Sequence, residues 1–180
     1  KPINNEEIQV YSDILDDIII QSNGVITGYN GSSATIEELT IPRTIKGIVV
    51  KEIGQKAFVN KGITKLTFTQ DSEVETIGNN AFENNPISEI TLAPSVTSIG
   101  GSAFSGCNNL TTITMSEVVS IGSSAFSGCN SLTSVNIPKV TSIGYNAFLN
   151  CSSLTSANMP EVTSIDQSTF NGCSSLTSVN

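Results

Sequence analysis

Residues 143–157 read Ile143-Gly144-Tyr145-Asn146-Ala147-Phe148-Leu149-Asn150-Cys151-Ser152-Ser153-Leu154-Thr155-Ser156-Ala157, and the frame of this stretch returns along most of the chain. Cys107, Cys129, Cys151 and Cys173 mark it at intervals of 22 residues. Phe58, Phe82, Phe104, Phe126, Phe148 and Phe170 mark it further back, at intervals of 24, 22, 22, 22 and 22. Five residues before each Phe stands an Ile: Ile53, Ile77, Ile99, Ile121, Ile143 and Ile165. A unit of this length cannot bury its own apolar face, so successive copies must stack and cover one another. The fold class is therefore a solenoid, a right-handed superhelix of about six coils, with the phenylalanines in one file.

Within each coil the apolar residues set the local structure. Leu132, Val135, Ile137, Val140 and Ile143 follow the leucine-rich-repeat spacing, in which a short strand points alternate residues inward before the chain turns back. Stacked coils then align these strands as a parallel β-sheet on the concave side, with rungs roughly 4.8 Å apart and short turns or single helical turns on the convex side. Pro42, Pro138 and Pro160 directly follow a strand's last apolar residue, where the missing amide hydrogen stops further pairing. Two residues after each Phe the chain uses Asn60, Asn84, Gly106, Gly128, Asn150 and Gly172, the residue types that most readily accept a left-handed backbone. This predicts a cap that ends one helical turn around the Ala-Phe pair. The residue after the Ile is Gly five times and Asp166 once, which predicts a slightly distorted last coil.

The chain carries 180 residues and a net charge of −8, and 13 of its 16 acidic residues and seven of its eight basic ones precede position 101. Lys139 alone follows. Such a surface repels phosphate backbones and anionic membranes, which argues against nucleic-acid binding and membrane insertion. Ile18-Ile19-Ile20 is far too short to span a bilayer.

Residues 1–38 do not keep the repeat and are expected to form a capping segment with a β-hairpin, strands at Ile18–Ile20 and Val25-Ile26 joined by an Asn23-Gly24 turn. Glu6, Glu7, Asp13, Asp16 and Asp17 suit a polar cover over the first coil. Residues 39–180 are the solenoid.

Ile143-Gly144 through Ala147-Phe148, Cys151-x-x-Leu154 and Ile137-Pro138 resemble the repeats of BspA-like leucine-rich-repeat proteins. Gly24–Gly31, Leu39–Pro42 and Ile48–Gly54 resemble the entry to such an array, so the likeness covers roughly residues 24–180. The resemblance implies a curved solenoid that is extracellular, on a cell surface of bacteria or some mucosal protists, with adhesive roles such as binding host matrix proteins or neighbouring cells. It implies no catalytic residues and no cofactor. The pattern departs from commoner leucine-rich repeats where Val118, Val140 and Val162 fill the slot that often holds Asn or Cys, so the usual asparagine ladder is not expected.

The remaining chemistry is sparse. Four cysteines on successive rungs spread their sulfurs along roughly 14 Å and cannot converge on one zinc ion. Buried free thiols are the expected state, and a disulfide between neighbouring rungs stays open because a rung fits the Cα window for one. Histidine is absent, which removes Ser-His and Cys-His nucleophile pairs. Glu73/Glu75, Glu37/Glu38 and Asp16/Asp17 read as solvated charge rather than acid/base pairs.

What is left is surface. The outward strand positions, and so the candidate protein-binding residues, are Lys65, Thr67, Glu89, Thr91, Thr112, Thr114, Ser134, Asn136, Ser156 and Asn158, continued by Ser178 and Asn180. They hold none of the Trp, Tyr and Arg that usually anchor interfaces, and Tyr145 belongs to the convex side. The expected function is non-enzymatic binding of a host or neighbouring-cell protein, and the alternative is a spacer or stalk that displays another domain. The last coil ends at an uncovered edge around Leu176 and Val179, which predicts further repeats or end-to-end self-association.

Overall fold

The computed structural model describes residues 5–31 and 35–180, those before 10 by backbone alone. The phenylalanines do stand in one file. Phe58, Phe82, Phe104, Phe126, Phe148 and Phe170 stack ring on ring, with centroids 5.4 to 5.6 Å apart and planes within 12° of parallel. The first five are wholly buried, and around them lie the coil positions that the spacing assigns to the interior, among them Leu132, Val135, Ile137 and Val140.

Two parallel ladders run along this core. One, the strand face, consists of Glu38–Ile41, Lys65–Phe68 and Glu89–Thr91, followed by a separate group of Thr112–Thr114, Ser134–Asn136, Ser156–Asn158 and Ser178–Val179. The other was not expected from the sequence. It is a back sheet of two-residue strands, Glu52–Ile53, Thr76–Ile77, Ser98–Ile99, Ser120–Ile121 and Ser142–Ile143, each paired in parallel with the next. The glycine after each Ile makes this approach possible. A Cβ on Gly100 would lie 2.7 Å from Asn79 N, and one on Gly144 2.3 Å from Ser123 N. These glycines are needed for space and not for a left-handed φ.

Asp166 cannot meet that requirement. Ile165 is 43% exposed, and Thr169, in the slot of Ala147, is buried with an unpartnered hydroxyl. The last coil is distorted as the sequence leads one to expect.

The Ala-Phe stretch is not a helical turn. Alternate amides close short turns, as from Ala103 N to Gly100 O and from Ser105 N to Ser102 O. The amides between them reach the next coil: Ser102 N to Ser123 O, Phe104 N to Ala125 O and Gly106 N to Ser127 O, at 2.8 to 2.9 Å. The left-handed residues expected after the Phe are present, with Asn84 at φ 56° and Gly106 at 74°. A second set precedes the Phe, including Asn80, Ser102, Ser124 and Asn146 at 54 to 58°. Left-handed residues on both sides flatten the turn so that its amides face the neighbouring coil.

Ile18–Ile20 and Val25–Tyr29 form an antiparallel pair, and the latter pairs in parallel with Glu52–Ile53, extending the back sheet. Ahead of them stands a helix, Asn5–Asp17, that the sequence reading did not foresee. Ile14 and Leu15 turn toward the core and Asp13 and Asp16 toward solvent. Glu6 and Glu7 belong to the first turn of this helix, and their side chains lie outside the described residues.

Candidate binding surface

The strand face gathers the sequence-selected residues into columns. Lys65 lies beside Glu89 and Thr67 beside Thr91. Thr112, Ser134, Ser156 and Ser178 form one file, and Thr114, Asn136 and Asn158 another. Burial alternates as a half-buried strand requires: Ile113, Val135 and Ala157 point inward, while Thr112, Thr114, Asn136 and Asn158 are exposed and Ser134 and Ser156 half-buried.

Hydrogen bonding commits part of these columns to the fold. Asn158 Nδ2 donates to Asn136 Oδ1 at 2.7 Å, and Lys65 Nζ pairs with Glu89 at 3.5 Å. The threonines just before the strands are occupied too: Thr133 Oγ1 donates to Thr111 O and Thr155 Oγ1 to Thr133 O, each at 3.0 Å. The hydroxyl and amide groups that remain give a surface able to hydrogen-bond broadly, without an aromatic anchor. Tyr145, 60% exposed, stands in the turn stretch away from this face.

The ten candidates do not form one continuous sheet. Glu89–Thr91 and Thr112–Thr114 are unpaired with each other, so the face is two ladders in series. The interval from strand to strand changes there, from 24 (Lys65 to Glu89) through 23 (Glu89 to Thr112) to 22 (Thr112 to Ser134). An extra residue between the Cys slot and the strand, Asn108-Asn109 in place of Pro86, falls at the break.

Beneath the turn lies a polar column that the sequence reading did not foresee. The ladder position is not the Val118 slot but three residues after the Phe, where Asn85 and the four cysteines stand in register. Asn85, 1% exposed, donates through Nδ2 to Phe58 O and Phe82 O at 2.8 Å, and its Oδ1 accepts from Lys61 N and Ile63 N. The cysteines repeat the first of these bonds with thiols, Cys107 Sγ to Phe82 O at 3.6 Å and Cys129 Sγ to Phe104 O at 3.3 Å. One asparagine and four cysteines thus do the work of an asparagine ladder.

All four thiols are unbridged. Burial pushes the Cys107 thiol up to about 12 and raises that of Cys129 as well. Cys151 is raised by the neighbouring Cys173 thiol and by burial, and the same neighbour relation lowers Cys173, which is only half-buried. At the charged end, Lys51 and Arg43 both hydrogen-bond Glu73 and hold its carboxyl below the ordinary value. The hydroxyl and amide of Ser168 do the same for Asp166.

Six copies of the BspA type leucine rich repeat region match the chain, over residues 28–119 and 51–177. The chain belongs to that family. This BspA-type array is similar to the leucine rich repeat protein of T. pallidum, at 30% identity over 87% of this chain and 73% of the other, with a TM-score of 0.79. A leucine-rich repeat protein of Eubacterium ventriosum is 26% identical over 86% of this chain and 48% of its own, with a TM-score of 0.63. A leucine rich cell surface protein of Faecalibacterium prausnitzii shares the fold, at 24% identity over 91% of this chain and 37% of its own, with a TM-score of 0.58. No curated protein matches the chain. Among the described residues no helix is long and apolar enough to cross a membrane.

Proposed function

We propose that the array is a protein-binding module of an extracellular, cell-surface protein, and that its strand face is the contact surface. The observation that carries this reading is the register of outward-facing polar side chains, Thr112 to Ser178 and Thr114 to Asn158, held at fixed rung spacing by the paired strands beneath them. A rigid polar lattice offers many hydrogen-bonding groups at small ordering cost, which suits broad and weak recognition of a host matrix protein or a neighbouring cell. Membership of a family of repeats that are typically non-enzymatic supports binding over catalysis. The likeness to a protein described as lying on the bacterial cell surface supports the location.

The test is surface plasmon resonance against immobilised matrix glycoproteins. Saturable binding that falls about tenfold with Glu89→Arg or Asn136→Arg, the equivalent of about 1.4 kcal/mol, is the expected result. The lack of Trp, Tyr and Arg on the face favours a second reading, a spacer that displays another domain. No binding to any glycoprotein of the panel would select the spacer.

A further inference from the structure

The two sheets are finished differently at their N-terminal side. The back sheet is carried one hairpin further by Val25–Tyr29 and Ile18–Ile20. The strand face has no such extension: among the described residues Glu38–Ile41 pairs only with Lys65–Phe68. Lys65 N donates to Glu37 O and Thr69 N to Ile41 O, both at 3.1 Å. Odd-numbered residues therefore face the partner strand, and the alternation of a parallel ladder turns the N–H and C=O groups of Glu38 and Thr40 toward the free edge.

A cavity of about 820 Å³ opens along that edge, between it and the helix Asn5–Asp17. Four carboxylates line it, Asp13 and Asp17 from the helix and Glu37 and Glu38 from the strand side; among the described residues no Lys or Arg lines it, while Lys61 Nζ lies 5.8 Å from the Tyr29 ring and Lys65 stands beside Glu38. Tyr11, Ile14 and Ile36 supply apolar wall between them. Tyr29, at the same wall, titrates above its ordinary value through burial and the nearby charges of Asp17 and Asp13.

An exposed strand edge is a template for another chain, and the excess of carboxylates beside it decides which chain. A second copy pairing edge to edge would bring both sets of carboxylates together, which disfavours self-pairing here. We propose that this cleft takes an extended segment of another protein in which Lys or Arg alternates with apolar residues, added as a further strand to the edge of Glu38–Ile41. Main-chain bonds to Glu38 and Thr40 supply affinity, and the two-residue period supplies selection. Positions continuing the outward row of Glu38 and Thr40 carry the cations. Positions continuing the inward row of Leu39 and Ile41 meet Tyr11 and Ile14. The site adjoins the Lys65 and Thr67 end of the candidate face but is lined by none of the candidate residues, so its fate does not depend on that reading.

Fluorescence anisotropy tests it on the intact chain, with a labelled peptide alternating Lys and Val, the same peptide N-methylated at alternate amides, and a peptide alternating Glu and Val. The expected result is saturable binding of the first alone. Loosening of about tenfold or more by Glu38→Lys, and no change with Asn136→Arg, complete it. No saturable binding of the Lys-Val peptide, equal binding of its N-methylated form, or equal binding by a folded Glu38→Lys protein would each overturn the proposal. The N-methylated peptide needs no altered protein, so a misfolded variant would leave the test standing.

Discussion

The coils before Phe104 and those after it solve one packing problem with different side chains. Both stack phenylalanines at about the same distance and both bond every turn to its neighbour. The earlier coils carry 12 of the solenoid's 16 charged residues, tie their surfaces with Glu73 between Arg43 and Lys51, and place an amide in the buried polar column. The later ones use hydroxyls on the surface and thiols in that column. The shared core fixes the fold, and the polar fittings are interchangeable as long as each buried carbonyl meets a donor.

The core term should be equal in the two regions. Phe82→Ala and Phe126→Ala each remove a ring stacked on both sides, and each should cost about 3–5 kcal/mol in denaturant unfolding. A much smaller loss at Phe82 would mean that the early coils are held together by something other than the shared file.

The polar column should distinguish the regions. Asn85→Ala strands the carbonyl of Phe58 and the amides of Lys61 and Ile63 and leaves the carbonyl of Phe82 only the weak Cys107 thiol, a loss of about 3 kcal/mol. Cys129→Ala removes one weak thiol donor and a little volume, about 1 kcal/mol. Equal losses in the same unfolding assay would erase the distinction between amide and thiol.

Within the thiol half, reactivity should be graded along the axis. Cys107, raised to about 12, holds about one part in ten thousand as thiolate at pH 8, whereas Cys173 is lowered and half-buried. Timed iodoacetamide labelling read by mass spectrometry should modify Cys173 more than about a hundredfold faster than Cys107. Raising the pH should narrow the gap as the Cys107 thiol ionises.

The smallest effect belongs to the charged half. The folded-state pKa of Glu73 lies below its ordinary value of 4.5, so its contribution is present above that value and lost as pH falls through the folded one. Glu73→Gln should therefore be slightly less stable than the parent at pH 7 and indistinguishable from it in strong acid. Salt should shrink the neutral-pH difference. A gap that persists in acid, followed by thermal unfolding, would assign it to packing instead.

The file of phenylalanines was legible because a fixed interval between large apolar residues has one packing solution. The outward columns followed from the two-residue period of a strand: Asn136 and Asn158 are exposed, and Val135 and Ala157 between them buried. The back sheet was not legible, since a two-residue strand such as Ser98–Ile99 has no alternation to read. Its only trace was the glycine after each Ile, which close approach of the next coil demands. The helix Asn5–Asp17 carried a usable signal, Glu6 and Glu7 in its first turn and Ile14 and Leu15 on one side, but its short acidic run looked like cover for a hairpin. The Asn85 and Cys column was hidden because one slot was filled by two unlike residues, joined only by the carbonyl each serves.

The flattened turns have an electrical consequence. Each sends every second amide hydrogen toward the following coil, where a carbonyl oxygen pointing back accepts it, as Ser102 to Ser123 and Phe104 to Ala125 show. Along the strands successive peptide units point in opposite senses and their fields cancel, whereas along the turns they add. The array therefore carries a polarity down one side, as a helix does down its axis, and every coil added to such a stack would lengthen that molecular battery without altering a single contact.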